Sequence, residues 1–190
     1  MIIYLFRHGE TAGNKLRKYI GKTDECVSQC GIEELKSKGK TAVDMLFVSP
    51  RKRCLQTAEI LIACDSEKVV EEKLAECDFG DFENKSYIDL ENDKNYIKWV
   101  ENNCRGEIPN GESMESFSQR TTDGFYACLA KACKAKAKEI AIVCHGGSIM
   151  AIMTNLFGGD FYSHMVKNGE CVKLQMTCNS GEMDFEKAER

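Results

Sequence analysis

Proline is scarce in this chain, with only Pro50 and Pro109 in 190 residues. No stretch rich in serine or glycine compensates for it, so nothing reads as a linker or a disordered tail. Also missing is any apolar run near the ~20 residues that cross a bilayer. Basic residues do not dominate: 26 Lys and Arg stand against 30 Asp and Glu, a net charge of −4, without the broad positive field that gathers nucleic acid. Histidines number three and no C-x-x-C occurs, which leaves a zinc site short of ligand pairs. The eleven cysteines are an odd count in a chain large for a stapled scaffold, so reduced thiols acting as small buried hydrophobes are expected. Met1 runs straight into an apolar strand, with no charged leader segment. These absences set the expectation of a cytoplasmic protein with no metal or cofactor and no nucleic-acid or membrane partner. Oligomeric state stays open.

The chain has 43% apolar and 29% charged residues, the balance of an ordinary globular protein. Residues 1–190 are expected to form one domain burying roughly 70% of its unfolded surface. Apolar runs at residues 2–6, Met45–Val48, Val69–Val70 and Ile140–Cys144 predict strands. Between them, segments Gly31–Val43, Arg51–Ala63, Ser113–Lys134 and Ser148–Phe157 predict helices. Alternation of this kind predicts an α/β fold, a mostly parallel sheet with helices on both faces. Val172, Leu174 and Met176, then Asn179-Ser180-Gly181 and Met183–Phe185, predict a terminal hairpin. A helical insertion is expected at about 78–112. Its first part is charged yet carries Phe79, Phe82, Tyr87, Tyr96 and Trp99, which could seal the core or wall a pocket under a lid.

Two strands end alike, in Arg7-His8-Gly9 and Cys144-His145-Gly146. Ligands of open α/β sheets collect beyond the carboxyl ends of strands, and glycines there let helix N-terminal amides approach an anion. Phosphate suits such a place. Neutral imidazole can attack phosphorus, a protonated second imidazole can donate to the equatorial oxygens, and arginines grip the rest bidentately. Arg7 and Arg53 are the candidates for that grip. A leaving alkoxide needs a proton, which Glu76, in the partly apolar L-A-E-C, can supply if its pKa is raised.

Taken together, L-F-R-H-G-E-T with Asn14, S-P-R-K-R-C-L-Q-T-A at 49–58, L-A-E-C-D-F-G-D-F-E at 74–83, P-N-G-E-S at 109–113 and V-C-H-G-G-S at 143–148 resemble the histidine phosphatase, or phosphoglycerate mutase-like, superfamily. F-G-D-F-E-N-K-S-Y is similar to bacterial small-molecule phosphatases, α-ribazole phosphatases among them. The resemblance implies a three-layer α/β/α sandwich and a metal-free phosphohistidine route, with a small phosphate ester as substrate. It implies His8 as nucleophile, His145 as second histidine, Glu76 as proton donor, and Arg7, Asn14, Arg53 and Gly146 on the phosphate. Gly21 and Thr23 fall on the substrate side, and Glu10 either supports the elbow or satisfies helix-start amides. His164 matches no catalytic position and reads as structural or surface.

Three positions depart from the family pattern: Glu25-Cys26-Val27 for a proline-leucine pair, Asn84 for a frequent glycine, and Arg51 for an apolar residue. Phosphatase is preferred over mutase, since a mutase must keep the phosphate from water. A non-catalytic phospho-ligand binder is the alternative from another class. G-K-T at 21–23 and 39–41 is no P-loop, because Leu16 and Glu34 occupy its first glycine.

Overall fold

The computed structural model describes residues 1–179 and 182–188. Six strands form one sheet: β1 (Ile2–Arg7), β2 (Met45–Val48), β3 (Val69–Val70), β4 (Glu139–Cys144), β5 (Cys171–Asn179) and β6 (Glu182–Lys187). Their order is β3-β2-β4-β1-β5-β6, parallel from β3 to β1 and antiparallel through β5 and β6. The helices of eight or more residues are α1 (Gln29–Ser37), α2 (Lys52–Leu61), α3 (Lys94–Glu101), α4 (Met114–Ala135) and α5 (Gly146–Phe157), and Ala12–Lys15 forms one short helical turn after β1.

Side chains alternate between the two faces of the central strands, as a strand's period of two requires. Ile3, Leu5, Phe47, Ile140 and Ile142 pack with Phe125 and Leu129 of α4 and Ile149 and Ile152 of α5. Phe6, Leu46, Val48, Ala141 and Val143 pack on the other side with Leu35 of α1 and Cys54, Ala58 and Leu61 of α2. Burial on both faces explains why β4 reads as an unbroken apolar run. Each such side chain is worth about 1.5–3 kcal/mol. The architecture is the expected three-layer α/β/α sandwich.

Several boundaries differ from the sequence reading. Gly39, at φ +75°, ends α1 soon after Ser37, and Thr41–Ala42 instead pairs with Ile62–Ala63 as a small separate ladder, which also shortens α2. The last helix starts two residues earlier than expected, at Gly146, with His145 as its N-cap residue. Ser113 caps α4, its side chain accepting from the Ser116 amide. The hairpin strands pair as expected, while Ser180 and Gly181 of the expected turn lie outside the described residues. Cys54, Cys77, Cys128 and Cys144 are buried thiols, but Cys26, Cys30, Cys133 and Cys178 are exposed, so the buried-hydrophobe reading holds for only part of the set. No helix among the described residues is long and apolar enough to cross a membrane.

Within residues 78–112, the segment expected as an insertion, Phe82, Tyr96 and Trp99 are buried against Phe117 of α4 and Ala151 of α5. Tyr87 is 48% exposed and walls nothing.

Helix α4 ends in a Schellman turn, where the Ala137 amide donates to Ala132 and that of Lys136 to Cys133. Lys136 there holds φ +57°, a conformation costly for any residue with a Cβ. Lys136→Gly is therefore expected to stabilise the fold by about 0.5–1 kcal/mol, read as a melting point raised by roughly 2 °C.

Candidate active site

Parallel pairing of β1 and β4 sets Arg7 opposite Cys144, so the following residues, His8 and His145, emerge side by side. The His8 amide continues the ladder, donating to the Cys144 carbonyl at 3.0 Å. Their rings stand edge to face, with centroids 5.2 Å apart. His8 Nδ1 lies 2.8 Å from the Gly9 carbonyl oxygen. A carbonyl only accepts, so Nδ1 carries the proton and Nε2 keeps its lone pair. Burial, followed by the charge of Arg53, pushes the His8 pKa down to about 3, and the ring stays neutral across the physiological range.

Arg7 donates from Nη1 to the Val166 carbonyl at 2.7 Å, whereas its buried Nε has no protein partner. Its guanidinium lies flush against Gly146, where a Cβ would stand 3.2 Å from Cζ. Asn14 closes a capping box with Thr11, and its Oδ1 takes the Thr11 amide at 3.2 Å and Asn168 Nδ2 at 3.0 Å. Its own amide nitrogen is thereby the group left to donate. With Gly146 and Gly147 opening α5, these groups make a concave, donor-rich floor.

The structure places Arg53 and His145 one layer behind that floor. Arg53 is 1% exposed and gives Nη1 to the Thr23 carbonyl at 2.8 Å, Nη2 to those of Ile20 and Gly21 at 3.2 and 3.1 Å, and Nε to His145 Nδ1 at 3.3 Å. A guanidinium only donates, so His145 Nδ1 is the bare nitrogen and Nε2–H faces Ser49 Oγ at 2.7 Å. Burial, then the Arg53 charge, holds the His145 pKa well below the ordinary range. The expected protonated second histidine is thus, in this arrangement, a neutral ring with both nitrogens engaged by protein. Gly21 and Thr23, expected on the substrate side, lie off the cavity wall and brace Arg53 with their carbonyls. A side chain on Gly21 would run into the Cys77 carbonyl.

Glu76 accepts from the Cys77 amide on Oε1 and from the Gly147 amide on Oε2, both at 3.1 Å. Burial outweighs these bonds and the two arginines, and its pKa rises above the usual carboxylate range. Gly147 lets the carboxyl come this close, since a Cβ would sit 2.5 Å from Glu76 Oε1 and displace it. Arg120 of α4 grips the strand-like segment carrying Glu76, donating to the Lys73 and Ala75 carbonyls at 2.8 and 3.0 Å and to Glu76 at 3.4 Å. Glu112 holds the Arg120 fork at 2.9 and 2.7 Å. The sequence reading missed Ser49, Glu112 and Arg120. The first two sit inside quoted motifs, while Arg120 leaves no sequence signal.

Glu10 supplies its main-chain carbonyl to the Ser28 amide, and the helix-start amide of Gly13 is met by Glu25 instead. Asn84 holds φ +59°, the left-handed region that explains a glycine preference there and that asparagine tolerates. His164 bonds the Gly158 carbonyl at 2.9 Å, away from the site.

His8, Arg7, Asn14, Glu76, Gly146 and Gly147 line a cavity of about 280 Å³. Phe79 and Trp99 of the insertion form part of its wall, with Phe117 of α4.

A neutral imidazole with a bare nitrogen and a guanidinium with an unpartnered Nε thus stand at the end of β1, with a buried carboxyl beside them. The family model of the histidine phosphatase superfamily (branch 1) matches residues 3–185, and the chain belongs to that family. The phosphatase PhoE of Bacillus subtilis is 33% identical over 164 residues, 83% of this chain and 78% of that protein. Among solved structures, the alpha-ribazole phosphatase of Shigella flexneri is 27% identical with a TM-score of 0.80, over 98% of this chain and 95% of that one. The phosphoserine phosphatase of Entamoeba histolytica, in complex with 3-phosphoglyceric acid, is 27% identical with a TM-score of 0.73, over 92% and 90%.

Releasing the segment that carries Glu76 should cost activity without unfolding the chain. Arg120→Ala is expected to lower kcat on alkyl phosphates roughly 100-fold, as loss of positioning does, with Arg120→Lys recovering part of it. Steady-state kinetics beside a melting curve check this.

Proposed function

We propose that the chain is a phosphomonoesterase that hydrolyses a small phosphorylated metabolite through a phosphohistidine on His8. The observation that carries this reading is the Nδ1 bond to the Gly9 carbonyl, which leaves a neutral Nε2 aimed at a cavity floored with anion donors.

In the first step Nε2 attacks phosphorus, the N–P bond forms and the ester P–O bond breaks. Arg7, Asn14 and the α5 amides at Gly146 hold the phosphoryl oxygens, and Arg53 adds fixed charge from behind. Glu76, in the acid form that burial favours, gives its proton to the departing alkoxide. In the second step water attacks phosphorus, the N–P bond breaks, and Glu76 takes the proton back. His145 and Ser49 pack the back of the nucleophile and keep Arg53 aligned. Guanidinium groups and amides balance the phosphoryl charge throughout, so turnover needs no metal.

Four results test the reading. His8→Ala should abolish hydrolysis of 4-nitrophenyl phosphate, and wild-type turnover should survive a chelator. Glu76→Gln should lower kcat/KM, which reports the first step alone, roughly 100-fold or more on alkyl esters and only a few-fold on nitrophenyl esters, whose leaving group needs little protonation. The kcat/KM on alkyl esters should fall as pH rises through the raised pKa of Glu76, because the acid then loses its proton, and Glu76→Gln should remove that limb. Equal losses of kcat/KM on both ester types in Glu76→Gln would remove the acid from the mechanism.

A further inference from the structure

We propose that the alcohol released at this site is apolar and carries no second anionic group, an inference that rests on the phosphatase reading. Beyond the phosphoryl floor, the cavity wall is made of Tyr19, Phe79, Trp99, Phe117, Met150 and Phe161. The polar tip of Tyr19 is already used, its hydroxyl 2.9 Å from that of Tyr96, and burial raises its pKa, so the phenol stays neutral. Tyr19 also packs against Phe79 and Trp99, with ring centroids 5.1 and 5.9 Å away. The wall therefore offers ring surface. At the rim stand Met165 and Tyr162, 64% and 42% exposed, which extend the apolar surface outward.

Cationic charge to receive a carboxylate is sparse there. Among the described residues lining the cavity, Lys18 is the one cation besides Arg7, and its Nζ bonds Asn84 Oδ1 at 3.3 Å. A larger cleft, about 780 Å³, opens on the far side of Glu76 and holds Lys22, Arg51 and Arg120. Lys22 is paired with Asp78 at 2.6 Å and Arg120 with Glu112 at 2.7 Å, while Glu72 and Glu107 add further negative charge. With Glu76 in its acid form, four carboxylates stand against three bases, so this cleft offers an anionic tail no net positive field. An unpaired carboxylate on the leaving group would be desolvated against rings on one side and meet like charge on the other. An apolar ring gains on the same wall, where a single methylene is worth about 10–200-fold in specificity.

The test compares 2-phenylethyl phosphate with O-phosphoserine and 3-phosphoglycerate, all primary alkyl esters that make similar demands on the acid. Wild-type kcat/KM is expected to be at least ~30-fold higher for the phenylethyl ester. Met165→Lys, which puts a cation in place of apolar surface at an exposed position that leaves folding intact, should lower that preference roughly tenfold with an unchanged melting point. Phosphoserine or 3-phosphoglycerate cleaved as fast as the phenylethyl ester, or a preference unmoved by Met165→Lys, overturns the proposal and leaves the phosphatase reading standing. A folded enzyme that cleaves none of the three, nor 4-nitrophenyl phosphate, takes both down.

Discussion

Everything at this site hangs on the pairing of β1 with β4. Ile2 to Arg7 run parallel to Glu139 to Cys144 in register, and one further hydrogen bond, His8 N–H to the Cys144 carbonyl, carries the pairing past the last strand residues. Side chains alternate along a strand, so a slip of one residue would turn Ile3 and Leu5 out of their layer and move His8 off the cavity at the same time. The apolar burial that fixes the register is thus also what brings two imidazoles 137 positions apart in the chain to a 5.2 Å separation.

The same burial sets the protonation states. Two guanidinium groups and a dry surrounding deny protons to His8 and His145, while Glu76, desolvated beside them, holds its proton more tightly. A nucleophile needs the first condition and a general acid the second. Arg7 and Arg53 divide the cationic work according to their partners. Arg53 has three backbone carbonyls and an imidazole, and is a strut. Arg7 has one carbonyl and an unpartnered Nε, and is the donor open to a ligand.

Legibility in the sequence followed burial. Strands with continuous apolar runs, such as Met45–Val48 and Ile140–Cys144, could be placed to within a residue, because burial on two faces leaves little choice of residue type. Helix ends were less readable where a glycine or a short side ladder cut them, as at Gly39 and at Ile62–Ala63. Among the candidate site side chains, His8, Arg7, Asn14 and Glu76 line one cavity. Gly21 and Thr23 did not join the cavity, because what they contribute is carbonyl oxygen, which residue type does not encode. Arg120 was invisible for the related reason that its partners are main-chain carbonyls 44 to 47 residues away.

Residue order alone determined the layered α/β class, the two His-Gly elbows and the supply of arginines and a carboxyl group, since periodicity and residue chemistry are local properties. Tertiary structure decided which imidazole nitrogen is bare, which arginine faces the cavity and which groups anchor the acid. Those depend on hydrogen-bond geometry and desolvation between segments that meet only after the sheet has closed.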